Sequence, residues 1–212
     1  MLTGRAQAFL DPAHYDDVSG YTNPKESEHD LFTVGHTSTS LSLASGVAKA
    51  RDLKDEAYNV VAVIGDGSLS GGMAYEGLNQ IATEGTNTIV VINDNDQSIA
   101  VNPTGGIYTA LRDLRESNGQ ADNNLFKALG FDYHYLDAGN DLDQLIALFE
   151  EVKDASHPVC YTFIRKKDTV CHSWKKIAKL SMQVDHTILK QENILVVQVL
   201  LKHTIALQQI LS

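Results

Sequence analysis

The sequence predicts an α/β fold, a doubly wound and mostly parallel sheet with helices on both faces. Two features predict it. The apolar runs 60–64 and 89–92 lack polar alternation, as strands buried on both faces of a parallel sheet do. Segments with helical spacing of apolar residues lie between such runs. Alternation of strand and helix is typical of parallel sheets joined by crossover connections.

The elements follow in a simple order. Residues 1–34 are rich in turn-forming residues and predict irregular structure. Beyond them the sequence predicts helices over 39–53, 70–83 and 141–153, helical pieces within 107–130, and strands over 59–65, 87–93, 131–136 and 159–164. We expect hydroxyls of Thr37, Ser38 and Thr39 to cap the first helix. We expect Met73, Leu78 and Ile81 to face inward on the second.

Length and composition limit the class of protein. The 212 residues suit one domain of ordinary size, and 43 % hydrophobic with 21 % charged residues is a globular composition. A net charge of −10 argues against a nucleic-acid surface. No 18-residue apolar run and no signal peptide are visible, so we expect no membrane contact and a cytoplasmic protein. Cys160 and Cys171 form no metal-binding spacing, and Cys160 is expected to be a buried thiol.

Polar residues follow two of the predicted strands at the point where each strand ends. Gly65-Asp66-Gly67 closes the first apolar run and Asn93-Asp94-Asn95 closes the second. Parallel strands joined by a helix bring both ends to the same sheet edge, where α/β proteins bind ligands. A carboxylate and an amide oxygen can share a hard cation such as Mg²⁺ there. Glycines let the backbone approach a diphosphate, so the pattern predicts a diphosphate-plus-metal site.

Simpler interpretations of these residues stay open. Asp66 could be only a helix N-cap, and Asn95 could merely close a turn. His36 could lie near a helix start without a chemical role. His29, His134 and His157 are expected to be structural or solvated. The paired motifs favour the ligand site over the first two alternatives.

Five longer strings lie in and around these motifs: Leu2-Thr3-Gly4-Arg5, Glu26 to Phe32, Gly35-His36-Thr37-Ser38-Thr39-Ser40, Gly65-Asp66-Gly67-Ser68-Leu69-Ser70-Gly71-Gly72 and Asn93-Asp94-Asn95-Asp96-Gln97-Ser98-Ile99. They resemble strings of the thiamine-diphosphate enzymes, and more narrowly those of the 1-deoxy-D-xylulose-5-phosphate synthase family. The resemblance covers roughly residues 2–165. The resemblance implies a diphosphate-binding domain over 1–165, incomplete at its N-terminus, followed by an aberrant tail over 166–212.

The resemblance also implies a cofactor, thiamine diphosphate, and a metal, Mg²⁺. Asp66, the Asn95 side chain and the Gln97 carbonyl match the family's magnesium ligands. Gly67 and Ser68 match positions against the diphosphate, and Gly35, His36, Thr37 and Asn95 match cofactor contacts. The family is expected to act as a homodimer that condenses pyruvate with glyceraldehyde 3-phosphate and releases CO₂.

No catalytic acid or base can be assigned, because the matching family regions are absent from this sequence. The chain alone is therefore expected to be inactive. Two alternatives remain: the N-terminal half of a split transketolase, and a non-catalytic remnant.

The tail departs from the family. Residues 166–212 carry 7 Lys or Arg against 3 Asp or Glu and contain no glycine or proline, whereas residues 1–165 carry 10 against 24. Back-translated and read from each codon's third base, the tail can encode Lys-Gly-Tyr and a long family-like string. We hypothesise that one nucleotide was gained near the Lys166-Lys167 codons, leaving the tail out of frame and poorly ordered or loosely docked. The alternative is a genuine helical extension. A gene sequence without family-like codons in the shifted phase would refute the frameshift.

Overall fold

The fold is described from a computed structural model of the chain. The structure describes residues 3–96 and 105–165 with their side chains, and the backbone of 194–198. In these segments no helix is both long enough and apolar enough to cross a membrane.

A five-stranded sheet forms the centre of the fold, and all of its strand pairs are parallel. Its spatial order is β3-β4-β2-β1-β5. The strands are β1 (Asn59–Gly65), β2 (Thr88–Asp94), β3 (Asp132–Leu136), β4 (Val159–Ile164) and β5 (Ile194–Gln198). The four strands that the sequence predicts are confirmed within a residue at each end, and the predicted parallel architecture with them.

The helices also follow the predicted order. They are α1 (Gln7–Leu10), α2 (Ser40–Leu53), α3 (Asp66–Leu69), α4 (Gly72–Glu84), α5 (Gly106–Glu116), α6 (Leu125–Ala128) and α7 (Leu142–Val152). One difference concerns the segment after β1. The sequence predicts one helix from Ser70, whereas the chain first makes the single turn α3 and begins its long helix α4 only at Gly72.

Both faces of the sheet are covered. On one face the even-numbered strand residues Val60, Ala62, Val90 and Ile92 pack against apolar residues of α2, α4, α5 and α6. On the other face Val61, Ile89, Val91, Val159 and Tyr161 pack with Val152 of α7. Side chains of a strand alternate between faces, so the continuous apolar runs supply both cores. Helices on both faces confirm the doubly wound prediction.

Cys160 of β4 is fully buried, as predicted, and burial raises the pKa of its thiol well above the usual value. A neutral thiol in an apolar core packs as a small hydrophobic group. This cysteine therefore contributes to the core.

Helices α2 and α4 pack closely because α4 has a glycine at the contact. A Cβ at Gly77 would lie 2.7 Å from the Leu41 Cβ and 2.7 Å from the Ser42 backbone nitrogen. Leu78 and Ile81 face inward as predicted. The prediction for Met73 is wrong: its side chain is 48 % exposed. It lies in the first turn of α4, where Ala74 occupies the inward position instead.

The described part of the segment before α2 is irregular, as predicted. It contains α1, a short 3-10 helix over Pro12–Asp17 and an isolated antiparallel bridge between Thr22 and Val34. Arg5 joins its two ends by donating to both carboxylate oxygens of Asp30, at 2.7 and 2.8 Å. The hydrogen-bonded Arg5 guanidinium holds the pKa of the Asp30 carboxyl below its usual range. A bidentate pair of this kind fixes geometry as well as charge.

Most of the tail lies outside the described residues, and so do the predictions made for it. The exception is β5, which pairs with β1. Asn59 is in register with Ile194 at one end of the pairing, and Val63 with Gln198 at the other. This apolar stretch had no predicted strand. The exposed edge of a sheet offers unpaired backbone groups to any apolar extended segment. Pairing with β1 is therefore compatible both with a genuine extension of the domain and with an out-of-frame tail. The frameshift stays a hypothesis.

Candidate functional site

The parallel pairing of β1 with β2 places the two predicted motifs side by side. Gly65, the last residue of β1, is in register with Asn93 of β2. Asp66 follows Gly65 directly, and Asn95 is the first residue after β2. The carboxyl ends of two neighbouring strands thus carry the two residues predicted to bind one cation. Whether their side chains share an ion stays a prediction.

Asp66 is held in a buried position. It is 4 % exposed and is the first residue of α3. Gly65 precedes it in extended conformation, so the chain turns sharply from strand into helix at this carboxylate. A buried carboxylate requires positive charge or hydrogen bonds around it. Because α3 is a single turn and α4 starts six residues after Asp66, the long helix begins two residues later than the predicted start at Ser70.

The loop before α2 is tied directly to α3. The Ser38 hydroxyl donates to the carbonyl oxygen of Ser68 at 2.6 Å. This bond ties the loop that follows Gly35-His36-Thr37 to the turn containing Gly67 and Ser68. Both stretches are predicted to contact the cofactor, and Gly67 and Ser68 its diphosphate. The structure therefore brings together two segments that are predicted to contact the cofactor and that lie about 30 residues apart in the chain.

Gly71 is required for this approach. A Cβ at this position would overlap the Ser38 hydroxyl and lie 2.7 Å from the Ser38 Cβ. Ser38 itself has a φ of 71°, a left-handed conformation uncommon for residues other than glycine. The group that approaches Gly71 is therefore the Ser38 loop.

The predicted cofactor contacts differ in exposure. Gly35, His36 and Thr37 are exposed, and Gly67 and Ser68 are half-buried. The hydroxyls of Thr37, Ser38 and Thr39 were predicted to cap α2. This prediction is wrong, because the Thr39 N-cap makes no side-chain bond to the helix. The Thr39 hydroxyl instead donates to the His36 carbonyl at 3.3 Å. The Ser38 and Thr39 hydroxyls thus bond to α3 and within the loop.

The turn after β2 is held by an arginine of α5. Arg115 donates through Nη1 to the Asp94 carboxylate at 2.7 Å, and through Nη2 to the Asp96 carboxylate. The Asp94 side chain is fully buried. Its Oδ1 also accepts the backbone N–H of Asp96 at 2.9 Å. Asn95 thus stands between two carboxylates that share one guanidinium.

The side-chain oxygen atoms at this edge suit a hard divalent cation. Asp66 and Asn95 offer oxygen, the ligand type that Mg²⁺ prefers. The buried Asn93 side-chain oxygen has no hydrogen-bond partner within the described residues, so an acceptor at the end of β2 is available to a neighbouring donor or cation. Gln97, the predicted third ligand, lies outside the described residues.

No group of three or more His, Cys, Asp or Glu residues able to hold a metal occurs in the described segments. The predicted ligand set comprises one carboxylate, one amide and one backbone carbonyl. A site of that composition does not require such a group, so its absence leaves the prediction open.

Sequence analysis missed Ser38, Asp94 and Arg115 as parts of this site. Ser38 was interpreted as a helix cap. A signal for Arg115 was present, because it lies four residues after the core residue Leu111 and so on nearly the same helix face. An aspartate that ends a buried strand requires a counter-charge, and this arginine supplies it.

Histidines His134 and His157 behave as the sequence suggested. Their Nε2 atoms lie 3.3 and 3.2 Å from the same Oδ2 of Asp132. The hydrogen bond with His157 and the nearby His134 imidazole lower the pKa of Asp132. The cluster lies at the start of β3, at the opposite end of the strands from the motifs.

Comparison with known proteins identifies the family. A family model described as 1-deoxy-D-xylulose-5-phosphate synthase matches residues 1–123. A 1-deoxy-D-xylulose-5-phosphate synthase of Listeria monocytogenes is 42 % identical over 173 residues, covering 79 % of this chain and 28 % of its own length. The synthase of Dictyoglomus turgidum is 41 % identical over 203 residues, covering 79 % of this chain and 33 % of its own length.

The chain thus spans about a third or less of these relatives. Among solved structures, a putative thiamin diphosphate-dependent enzyme from Mycobacterium smegmatis is similar at 16 % identity and a TM-score of 0.46. The match covers 62 % of this chain and 23 % of that one.

The contact between Gly71 and Ser38 can be tested by substitution. We expect Gly71→Ala to lower the free energy of unfolding by about 1–3 kcal/mol, the usual cost of forcing an extra methyl group into a packed site. Ser38→Gly in the same chain should restore much of this, since it removes the overlapping atoms and suits the positive φ. Urea denaturation measures both.

Gly72→Ala is the matched control, because a Cβ there meets no atom within 4 Å. If Gly71→Ala proves as stable as this neighbouring variant, the loop does not approach α4 as described.

Proposed function

The chain belongs to the 1-deoxy-D-xylulose-5-phosphate synthase family, and on that premise we propose that residues 1–165 hold the diphosphate of thiamine diphosphate with one Mg²⁺. The observation that supports this most is the register of Gly65 with Asn93. It places the ends of the two motifs at one edge of the sheet, where ligands of α/β proteins bind.

In this proposal Asp66, the Asn95 side chain and the Gln97 carbonyl hold the metal ion. Gly67 and Ser68 lie against the diphosphate, and residues 35–37 approach it from the neighbouring loop. The hydrogen bond from Ser38 to Ser68 supports the combination, because it fixes the distance between the two backbone segments. Exposure of residues 35–37 supports access by a ligand.

We propose that a divalent ion lies between the buried Asp66 carboxylate and the diphosphate. A diphosphate brought beside it would add negative charge at a position with little water to screen the repulsion. A cation between the two groups converts repulsion into attraction, and an ion held by one or two protein oxygens plus phosphate oxygens is the usual arrangement for Mg²⁺. We therefore propose that the chain binds the cofactor only in the presence of the metal.

The complete family enzyme is proposed to condense pyruvate with glyceraldehyde 3-phosphate and to release CO₂. When bound, thiamine diphosphate supplies the electron sink for that carbon–carbon chemistry. The residues of this chain bind and orient it, and we assign none of them a role as catalytic acid or base. The isolated chain is accordingly proposed to bind the cofactor without turnover.

Two further proposals concern the surroundings of the complete enzyme, a cytoplasmic location and a homodimeric assembly. Both rest on composition and family resemblance. Sedimentation of the full-length family protein from the same source would contradict the second proposal if it ran as a monomer.

Replacing Asp66 tests the metal site. For the unaltered chain we expect calorimetric titration to detect thiamine diphosphate binding with Mg²⁺ and to lose it with a chelator. In Asp66→Asn the dissociation constant should rise by at least about tenfold, the lower limit observed when even outer partners of a metal site are changed. The substitution preserves size and removes charge, so folding should survive.

Asp122→Asn is the control, since Asp122 is an exposed aspartate outside the motifs. Equal affinity of Asp66→Asn and the control would contradict the assignment of the metal ligand. Equal affinity of the unaltered chain with and without Mg²⁺ would contradict the proposed role of the cation.

A further inference from the structure

We propose that Arg115 is a positioning residue, which fixes the turn carrying Asn95 by bridging the carboxylates on both sides of it. The inference rests on the proposed function, because it concerns how Asn95 is presented to the metal ion. It assigns a role to a residue outside both sequence motifs.

Arg115 contacts the residues on both sides of Asn95. One guanidinium donates to Asp94 at 2.7 Å and to Asp96, so residues i−1 and i+1 of Asn95 are bound to the same rigid group. The Asp94 carboxylate accepts the Asp96 N–H as well, at 2.9 Å. On the strand side, the Asp94 carbonyl accepts the backbone N–H of Arg165 at 2.8 Å. The backbone on either side of Asn95 is thus held from several directions.

The turn has a conformation that requires support. Asp96 has a φ of 56°, in the left-handed region that costs free energy for residues with a Cβ. Such a conformation persists where surrounding contacts favour it over the extended alternative. The contact from Arg115 to the Asp96 carboxylate is suited to this role.

The position of Arg115 is itself fixed by packing. Leu111 and Leu114 of α5 are buried in the core on the same face of the sheet. Just beyond the helix, Gly119 has a φ of 79° and lies so close to Tyr135 of β3 that a Cβ would overlap its ring. The end of α5 is therefore anchored to the sheet, and the guanidinium, whose side chain is 19 % exposed, has little freedom to move.

Arginine is the required residue at this place. Its planar guanidinium presents several donors in fixed directions and can serve two acceptors at once, whereas a lysine ammonium behaves as a point charge. A lysine could still compensate the buried charge of Asp94. It would not hold Asp96 in the same fixed geometry, so the two functions of Arg115, charge compensation and positioning, can be separated by substitution.

The experiment compares Arg115→Lys, Asp96→Asn and the double variant in the full chain. The readouts are the dissociation constant for thiamine diphosphate with saturating Mg²⁺ and the melting temperature without ligand. We expect Arg115→Lys to raise the dissociation constant about 10- to 100-fold, the effect typical of residues that orient metal ligands, with little change in melting temperature. Asp96→Asn, 64 % exposed at its side chain, should act in the same direction and remain folded.

The double variant distinguishes positioning from independent effects. If Arg115 acts through Asp96, the effects of the two substitutions are not additive. The dissociation constant of the double variant then equals about that of the single variant with the higher value. If the two fold-changes in dissociation constant instead multiply in the double variant, the proposal is overturned, because Asp96 then contributes only its own charge.

Arg112→Lys is the matched control. Arg112 lies on the same helix and is 52 % exposed, and among the described residues its ion pairs are with the surface carboxylates Asp113 and Glu116. Its affinity should equal that of the unaltered chain. If Arg115→Lys binds as tightly as this control, the positioning role is overturned while the proposed function stands. If the unaltered chain shows no Mg²⁺-dependent binding, both are overturned.

Discussion

The parallel pairing of β1 with β2 is the constraint on which the candidate site depends. Each strand alone ends in a short polar motif with many possible uses. The register that matches Gly65 with Asn93 converts two such motifs into one edge of the sheet. The pairing is specified by burial, because both strands carry apolar residues on both faces and a shift in register would also misplace the helices that cover them.

The carboxyl edge of this sheet concentrates negative charge, and two of its carboxylates, Asp66 and Asp94, are buried. Asp94 is compensated inside the protein by Arg115, which lies on the same side of the sheet as the larger core. Asp66 begins the turn α3, next to the loop that Ser38 ties down. The Asp94 carboxylate is part of the architecture, and the Asp66 carboxylate is proposed to bind an external cation. Internal compensation of Asp94 keeps the turn at Asn95 in place before any ligand arrives.

The sequence predicted much of this fold because the signals were periodic and local. Uninterrupted apolar runs predicted β1 and β2, and helical spacing predicted α4 with Leu78 and Ile81 inward. What it did not predict depends on contacts between distant segments. The close approach of Ser38 to Gly71, and the bridge from Arg115 to residues 94 and 96, involve residues whose partners cannot be identified from spacing alone. The miss at Met73 is local instead, because α4 begins later than the apolar pattern suggested.

The most direct test is a crystal structure of this chain with Mn²⁺ in place of Mg²⁺ and with thiamine diphosphate, using the anomalous signal of the metal. The account predicts one ion bound by oxygens of both Asp66 and Asn95, at about the 2.0–2.1 Å typical of Mg²⁺ or slightly longer, with the diphosphate in the same coordination shell. An ion that contacts only one of these residues, or a diphosphate bound away from the ends of β1 and β2, would contradict it.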